Sequence, residues 1–285
     1  MSNLALQLRP DLRDTRLNLG CGTRLRADWT NADLVAAAPG VMTVDLRSRL
    51  PFADAGFGAV YHSHVLEHLD AATGEAMLAE CFRVLKPGGV LRVVLPDLEL
   101  LCRWYFEALA ARGPAAEGDG RGGATAALRH RWAVAGIVDQ CARDASGGEL
   151  LRMWQSESNL FSDPWLATRV GVQAETGCGR TGRQASRRSL GARLRDSLLR
   201  RVLGAEDFRC LKVGRFRRGG EPHKAMYDFV TLTDVLKRVG FGAVQRQTAF
   251  SSGIAGFDPL GLDVEPPDVV YKPESMFVEA TRVAP

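Results

Sequence analysis

Leu17-Asn18-Leu19-Gly20-Cys21-Gly22 is an apolar run that breaks into two glycines near the N-terminus. Such a run reads as a short strand followed by a turn built of main chain. Glycine tolerates positive φ and carries no Cβ, so the chain can turn sharply beneath a ligand while a following helix presents its N-terminal N–H groups. Gly-x-Gly also occurs in ordinary tight turns, so the downstream segments decide. Eleven residues after Gly22, Asp33 closes Trp29-Thr30-Asn31-Ala32-Asp33, where a second strand ends and a carboxylate can accept hydrogen bonds from ribose hydroxyls or simply sit in an exposed turn. Val41-Met42-Thr43-Val44-Asp45-Leu46 reads as a third strand ending in an acid. Leu50-Pro51-Phe52 and the stretch Phe57 to Leu69, which carries His62-Ser63-His64 and Glu67-His68, continue the alternation of strand, turn and helix.

Taken in order, these segments resemble a class I S-adenosylmethionine-dependent methyltransferase over residues 15–100 and 223–283. Leu17 to Gly22 is similar to the first cofactor loop of that family, Leu50-Pro51-Phe52 with Phe57-Gly58-Ala59-Val60 to the approach to strand four, and Val65-Leu66-Glu67-His68 to the helix start after it. Arg83-Val84-Leu85-Lys86-Pro87-Gly88-Gly89 resembles the turn before strand five, Val90 to Leu95. The resemblance implies S-adenosylmethionine as cofactor, leaving as S-adenosylhomocysteine, with Asn18, Gly20, Cys21, Gly22, Asp33, Asp45, Leu46, Ser63 and His64 around it. Two departures stand out. Asn18 occupies the place of an acid that would pair with the methionyl ammonium, and Arg24 the place of a third glycine. They keep a second reading open, a non-catalytic binding or scaffold protein that retains the fold.

The same resemblance, with the periodicity of the later chain, gives the fold: a Rossmann-like open α/β sheet, mostly parallel with a C-terminal antiparallel hairpin strand, helices on both faces, and a mainly helical insertion after strand five. Phe229, Leu232, Val235, Leu236 and Val239 recur at helical spacing before Gly240, and Ala243 to Phe250 and Ser275 to Thr281 read as the two late strands. Residues 1–97 and 223–285 then form the cofactor-binding domain, and 98–222 a helical, basic insertion or substrate lid. The gap from Gly22 to Asp33 leaves room for only a brief first helix.

The chain has 285 residues, 46% of them hydrophobic, enough to bury a sizeable core without covalent staples. Its six cysteines, Cys21, Cys81, Cys102, Cys141, Cys178 and Cys210, show neither disulfide pairing nor metal spacing, and no segment has signal-peptide form. We therefore expect a cytoplasmic protein. No run reaches the ~20 apolar residues that a bilayer span needs. His62, His64 and His68 invite a metal reading, but no further ligand stands at ligand spacing, so no metal is expected.

Inside the insertion, Leu98 to Arg112 and Ala126 to Arg143 read as helices separated by the glycine-rich stretch from Gly113 to Gly123. The pair Asp139-Gln140, then Ser146-Gly147-Gly148 and Met226-Tyr227-Asp228, resembles family members associated with surface glycans or secondary metabolites. That likeness implies a small-molecule or glycan-like acceptor. Between Arg180 and Arg218 the chain turns basic, and its local excess exceeds the net +4 of the whole. Leu190, Leu194, Leu198 and Val202 recur every four residues within it, giving an amphipathic helix suited to an anionic membrane, to an anionic substrate or to covering a core with a solvated charged face. Nucleic acid is disfavoured, because no element resembling Asn-Pro-Pro-Tyr is present to receive an extracted base. Nothing in the residues bears on oligomeric state.

Ligands in an open sheet lie beyond the carboxyl ends of its strands. This points to His64 after strand four, Asp97 after strand five, and His223 and Tyr227 where the insertion returns, as candidate catalytic residues. For each there is a plainer role: a helix cap for His64 and Asp97, ordinary packing for the other two. An oxygen acceptor needs a base near its hydroxyl proton, whereas an amine needs only a neutral lone pair. We expect O-methylation in polysaccharide or secondary-metabolite biosynthesis, with N-methylation of a small molecule as the alternative.

Overall fold

The computed structural model describes residues 15–113, 120–156, 162–170 and 190–283. In chain order the strands are β1 (Arg16–Leu19), β2 (Thr30–Asp33), β3 (Val41–Thr43), β4 (Phe57–Ser63), β5 (Leu85–Pro96), β6 (Phe241–Gln247), β7 (Val264–Glu265), β8 (Val269–Val270) and β9 (Ser275–Arg282). The α-helices are α1 (Ala71–Val84), α2 (Leu98–Ala110), α3 (Gly120–Ala142), α4 (Gly148–Ser156), α5 (Pro164–Val170), α6 (Leu190–Arg217) and α7 (Phe229–Val239). Contacts divide them into two compact units. The first takes the described residues up to Leu95, Tyr227–Val264 and those from Met276; the second takes Pro96–Met226 and Glu265–Ser275. Residues 265–275, placed with the cofactor domain from sequence, thus belong with the second unit.

The first unit is built on a seven-stranded sheet of order β3-β2-β1-β4-β5-β9-β6. Its first five strands pair in parallel and β9 runs antiparallel to β6. Parallel strands covered on both faces read as unbroken apolar runs, and β5 accordingly buries every residue from Val93 to Pro96. The turn expected at Lys86 to Gly89 is instead absorbed into β5. Phe57 pairs with Leu85 and Ala59 with Val90, so the extra residues bulge out where Gly88 takes φ +78°.

One face carries α1 and α7. Asp70 caps α1 by accepting from the Thr73 N–H, and Met77, Leu78, Cys81 and Val84 form its buried stripe. A capping box between Asp228 and Thr231 starts α7, and Gly240 at φ +113° ends it. A side chain at Gly240 would press on the Phe82 ring.

The opposite face differs from expectation. No helix forms between β1 and β2. Two buried amides hold that stretch as an irregular loop: Asn18 Nδ2 donates to the Arg24 carbonyl at 2.9 Å, and Asn31 accepts from the Arg26 N–H at 3.1 Å while donating to its carbonyl at 2.8 Å. Asn31, Asn18, Tyr61 and Arg92 stand in register on four adjacent strands. A row of polar side chains therefore crosses a sheet that otherwise buries apolar ones. Within this unit the segment from Thr248 to Val264 covers the row. Asp263 accepts from the Tyr61 hydroxyl at 2.7 Å and from Arg92 Nε at 2.9 Å, and Phe257 lies 4.8 Å below the Arg92 guanidinium. Arg24, the residue in place of a third glycine, donates through Nε to the Leu262 carbonyl at 3.1 Å and so helps hold this strap.

The second unit is helical. Leu101, Trp104 and Ala108 of α2 pack with Trp132 and Ala133 of α3, Met153 of α4 and Leu166 of α5. The Asp-Gln and Gly-Gly residues are internal braces there. Asp139 accepts from the Glu149 N–H at 2.6 Å and from Arg143 at 2.9 Å, and a Cβ on Gly148 would overlap its carboxylate. The Gln140 carbonyl accepts from the His223 N–H at 2.9 Å. Arg180, Arg183, Arg187, Arg188 and Cys178, and most of the glycine-rich stretch, lie outside the described residues. Among the described residues no helix is long and apolar enough to cross a membrane.

Candidate functional site

The first unit gathers most of the expected cofactor residues at the carboxyl ends of β1, β2 and β4. Gly20 and Gly22 take φ of +65° and +52°, conformations that favour glycine. Their N–H groups are not the free donors of a helix start. Gly20 and Cys21 both donate to the Ala32 carbonyl, at 2.8 and 3.2 Å, and Gly22 donates to Asp33 Oδ2 at 2.8 Å. The turn thus offers close main-chain approach rather than an anion nest. A Cβ on Gly20 would overlap Val65 Cγ2, whereas a Cβ on Gly22 would meet nothing within 4 Å.

Asp33 is half-buried and spends one bond per oxygen on the chain, to Gly22 and to the Val35 N–H at 3.1 Å. A carboxylate has about four acceptor sites, which leaves capacity for ribose hydroxyls. The Val44 N–H donates to its carbonyl at 2.8 Å, tying the chain after β3 to the same point. Asp45 pairs with Arg47 through bonds of 2.8 Å, and the Arg47 guanidinium holds its carboxyl below the ordinary range. Leu46 follows it, half-buried. The Asn18 amide is committed to Arg24 and to Asn31, so here it secures the loop. Burial, followed by the charge of Asp33, pushes the Cys21 thiol up to about 11. It remains protonated at neutral pH and acts as a packing group.

Beyond Ser63, the last residue of β4, His64 turns into the left-handed region at φ +54°. Its N–H donates to the Val94 carbonyl at 2.8 Å, which fixes it against β5. A non-glycine residue there costs about 1–3 kcal/mol, and such strain gathers at functional positions. Its Nδ1 lies 3.0 Å from Glu67 Oε1, the Glu67 side chain being buried and that of His64 largely so. Sequence reasoning noted Glu67 as the carboxylate nearest the histidines and assigned it to a helix start; its value as a partner of His64 comes from the one-turn 3-10 helix Leu66–His68, which folds it back on that ring. His62 is of another kind. It is wholly buried, neither ring nitrogen finds a hydrogen-bond partner among the described residues, and burial lowers its pKa to about 4 despite the nearby Glu67. It is a neutral core residue.

Tyr227 lies in the same unit, with its hydroxyl 3.5 Å from where a Cβ on Gly74 would stand. Burial raises its pKa, and the charges of Glu67, Asp70 and Glu75 add to this. Asp97 and His223 belong to the second unit. Asp97 is the N-cap of α2, accepting from the Glu99 N–H at 3.0 Å.

Residues 30–93 match the family profile described as a methyltransferase domain. This span opens at β2, takes in Asp33 and His64, and closes within β5. Over these residues the chain is similar to a methyltransferase domain. The residues present fit S-adenosylmethionine: two positive-φ glycines, Gly22 with open space beside it, and a carboxylate at the end of the next strand.

Among solved structures, the cyclase SpnF is similar at 25% identity over 28% of this chain and 38% of that chain, with a TM-score of 0.24. The CurJ carbon methyltransferase shares 12% identity over 98% and 50% of the two chains at a TM-score of 0.38. A SAM-dependent methyltransferase from Archaeoglobus fulgidus shares 12% over 94% and 86% at 0.39. The chain spans half or less of the length of the first two, and TM-scores this low carry no functional argument. A search of curated proteins finds no match.

If the carboxylate of Asp33 serves the ribose of this methyltransferase domain, Asp33→Asn is expected to weaken S-adenosylmethionine binding by about 1–3 kcal/mol, the cost of losing a charged hydrogen-bond acceptor. Calorimetric titration checks this. An unchanged dissociation constant removes Asp33 from the cofactor site.

Proposed function

We propose that the protein transfers a methyl group from S-adenosylmethionine to a hydroxyl oxygen of a small or glycan-like acceptor, in polysaccharide or secondary-metabolite biosynthesis. The observation that carries the choice of oxygen is the buried pair of His64 and Glu67, one residue from where Val65 abuts the glycine turn. S-adenosylmethionine supplies an electrophilic methyl carbon on a sulfonium. The chain's own residues do the rest. Gly20 and Gly22 bring main chain against the cofactor, and Asp33 holds it by the ribose. Glu67 faces Nδ1 of His64, so the neutral imidazole keeps its proton there and presents Nε2 as the acceptor. A hydroxyl placed at Nε2 loses its proton as the new bond forms, and Glu67 stabilises the imidazolium that results. Alignment of acceptor oxygen, methyl carbon and sulfur in a water-poor site supplies the remaining acceleration. A neutral amine would have no need of this pair.

The test is release of S-adenosylhomocysteine on incubation with sugar, nucleotide-sugar and phenolic acceptors. Bound cofactor with no release from any hydroxyl acceptor, but release from an amine, would overturn the oxygen reading. With an acceptor in hand, His64→Ala is expected to lower kcat about 100-fold, the lower end of what a positioned base contributes. The dissociation constant for S-adenosylmethionine should hold. Glu67→Gln should shift the pH profile of kcat, which a purely structural role would leave in place.

A further inference from the structure

The sequence allowed Leu190, Leu194, Leu198 and Val202 to cover a core, and among the described side chains Leu194, Leu198 and Val202 do not. Helix α6 breaks at Gly204, whose φ of +82° and ψ of +168° are not helical. The two arms fold back on each other: Lys212 beyond the break lies 3.3 Å from Asp196 before it. Leu199, flanking the stripe, is half-buried, while Leu194, Leu198 and Val202 are 71%, 63% and 73% exposed. Among the described residues nothing packs on this stripe. Arg195 and Arg201 are exposed beside it, and residues 190–218 contain nine arginines and lysines against three acids.

We propose that the first arm of α6, Leu190 to Leu203, lies on an anionic lipid surface. An apolar stripe about 12 Å long, from Leu194 to Val202, suits shallow burial at the headgroup boundary. Arg195 and Arg201 at its margins can keep their stems in the apolar layer and their guanidinium groups among phosphates. Charge complementarity selects the occupant. A neutral protein groove would leave Arg201 unanswered and Arg195 with only the loose contact to Asp196 at 3.8 Å, and a nucleic acid would leave three large aliphatic side chains in water. This surface needs no acceptor and is independent of the methyl-transfer reading.

Sedimentation of the full chain with phosphatidylcholine vesicles, with and without phosphatidylserine, tests it. Binding is expected only with phosphatidylserine and should fall as salt rises. Arg195→Gln with Arg201→Gln should lower the partition coefficient about thirtyfold, a factor of about five for each cation at an anionic leaflet. Leu194→Ser with Leu198→Ser leaves the charge intact and should lower it at least about tenfold through lost apolar burial. All four side chains are exposed, and retained S-adenosylmethionine binding and far-ultraviolet circular dichroism show that each variant is folded. No sedimentation with anionic vesicles overturns the proposal. So does binding that survives the serine pair but is displaced by single-stranded RNA, which would mark a general polyanion patch. Equal binding to vesicles without phosphatidylserine also overturns it.

Discussion

Gly20→Val is expected to abolish measurable binding of S-adenosylmethionine. Two costs meet at this position. The backbone stands at φ +65°, and a Cβ there would overlap Val65 Cγ2 of the segment that carries His64. Left-handed strain in a residue with a Cβ costs about 1–3 kcal/mol, and overpacking adds about 1–3 more. The chain can relieve them only by moving the glycine turn away from the end of β4, which dismantles the place where the proposed cofactor site and base meet. Gly22→Ala separates the two effects. Gly22 also has positive φ, at +52°, but open space where its Cβ would lie. It should therefore lose only the strain component, about 1–2 kcal/mol. Calorimetric titration of both variants, with urea unfolding of each, decides the matter. Equal affinities for Gly20→Val and the parent chain would place the cofactor elsewhere.

The glycine turn, Asp33 and His64 were legible from sequence because each is local. A strand that ends in Gly-x-Gly, an acid closing the next strand and a histidine closing the fourth are visible in windows of a few residues. The mostly parallel sheet with its late antiparallel strand was expected from the same alternation and the family resemblance. What could not be read was the non-helical face. Asn18 looked like a lost acid and Arg24 like a lost glycine, yet both serve the loop and strap that stand where helices were expected. Their partners, Asn31 and Leu262, are 13 and 238 residues away. Glu67 was visible as a residue but not as a partner, since a single 3-10 turn decides where its carboxylate points. The aliphatic repeat of α6 was read correctly as a stripe; its exposure depended on which face the fold-back at Gly204 used, and spacing does not encode that.

Arg92 is the residue that sequence reasoning passed over entirely, and Arg92→Leu should have the largest effect on stability. A lone arginine inside Val90-Leu91-Arg92-Val93-Val94-Leu95 was the available signal, matched by Asp263 between Leu262 and Val264 and by Glu279 between Val278 and Ala280. In the fold Arg92 is wholly buried. It pairs with Asp263 at 2.9 Å and Glu279 at 2.8 Å, donates to the carbonyls of Ser251 and Thr248 at 2.9 and 2.8 Å, and lies between the rings of Phe257 and Phe277. All six of these neighbours belong to the strap or to β9, so this side chain fastens one face of the sheet. Removing one partner of a buried ionic cluster costs about 3–5 kcal/mol, because the charges left behind have neither water nor a counter-ion. Burial already pushes the Asp263 carboxyl above its ordinary value even with Arg92 beside it. Without the guanidinium it rises further. A carboxyl raised in the folded state is stable there while protonated, below its unfolded value near 4, and loses stability as pH climbs toward its folded value. The penalty of Arg92→Leu should therefore be larger at pH 8 than at pH 5, and adding Asp263→Asn and Glu279→Gln should recover part of it. Urea midpoints at both pH values read this out. A penalty that does not change with pH, or is not relieved by the two amides, would show that Arg92 contributes through packing against Phe257 and Phe277 and not through its charge.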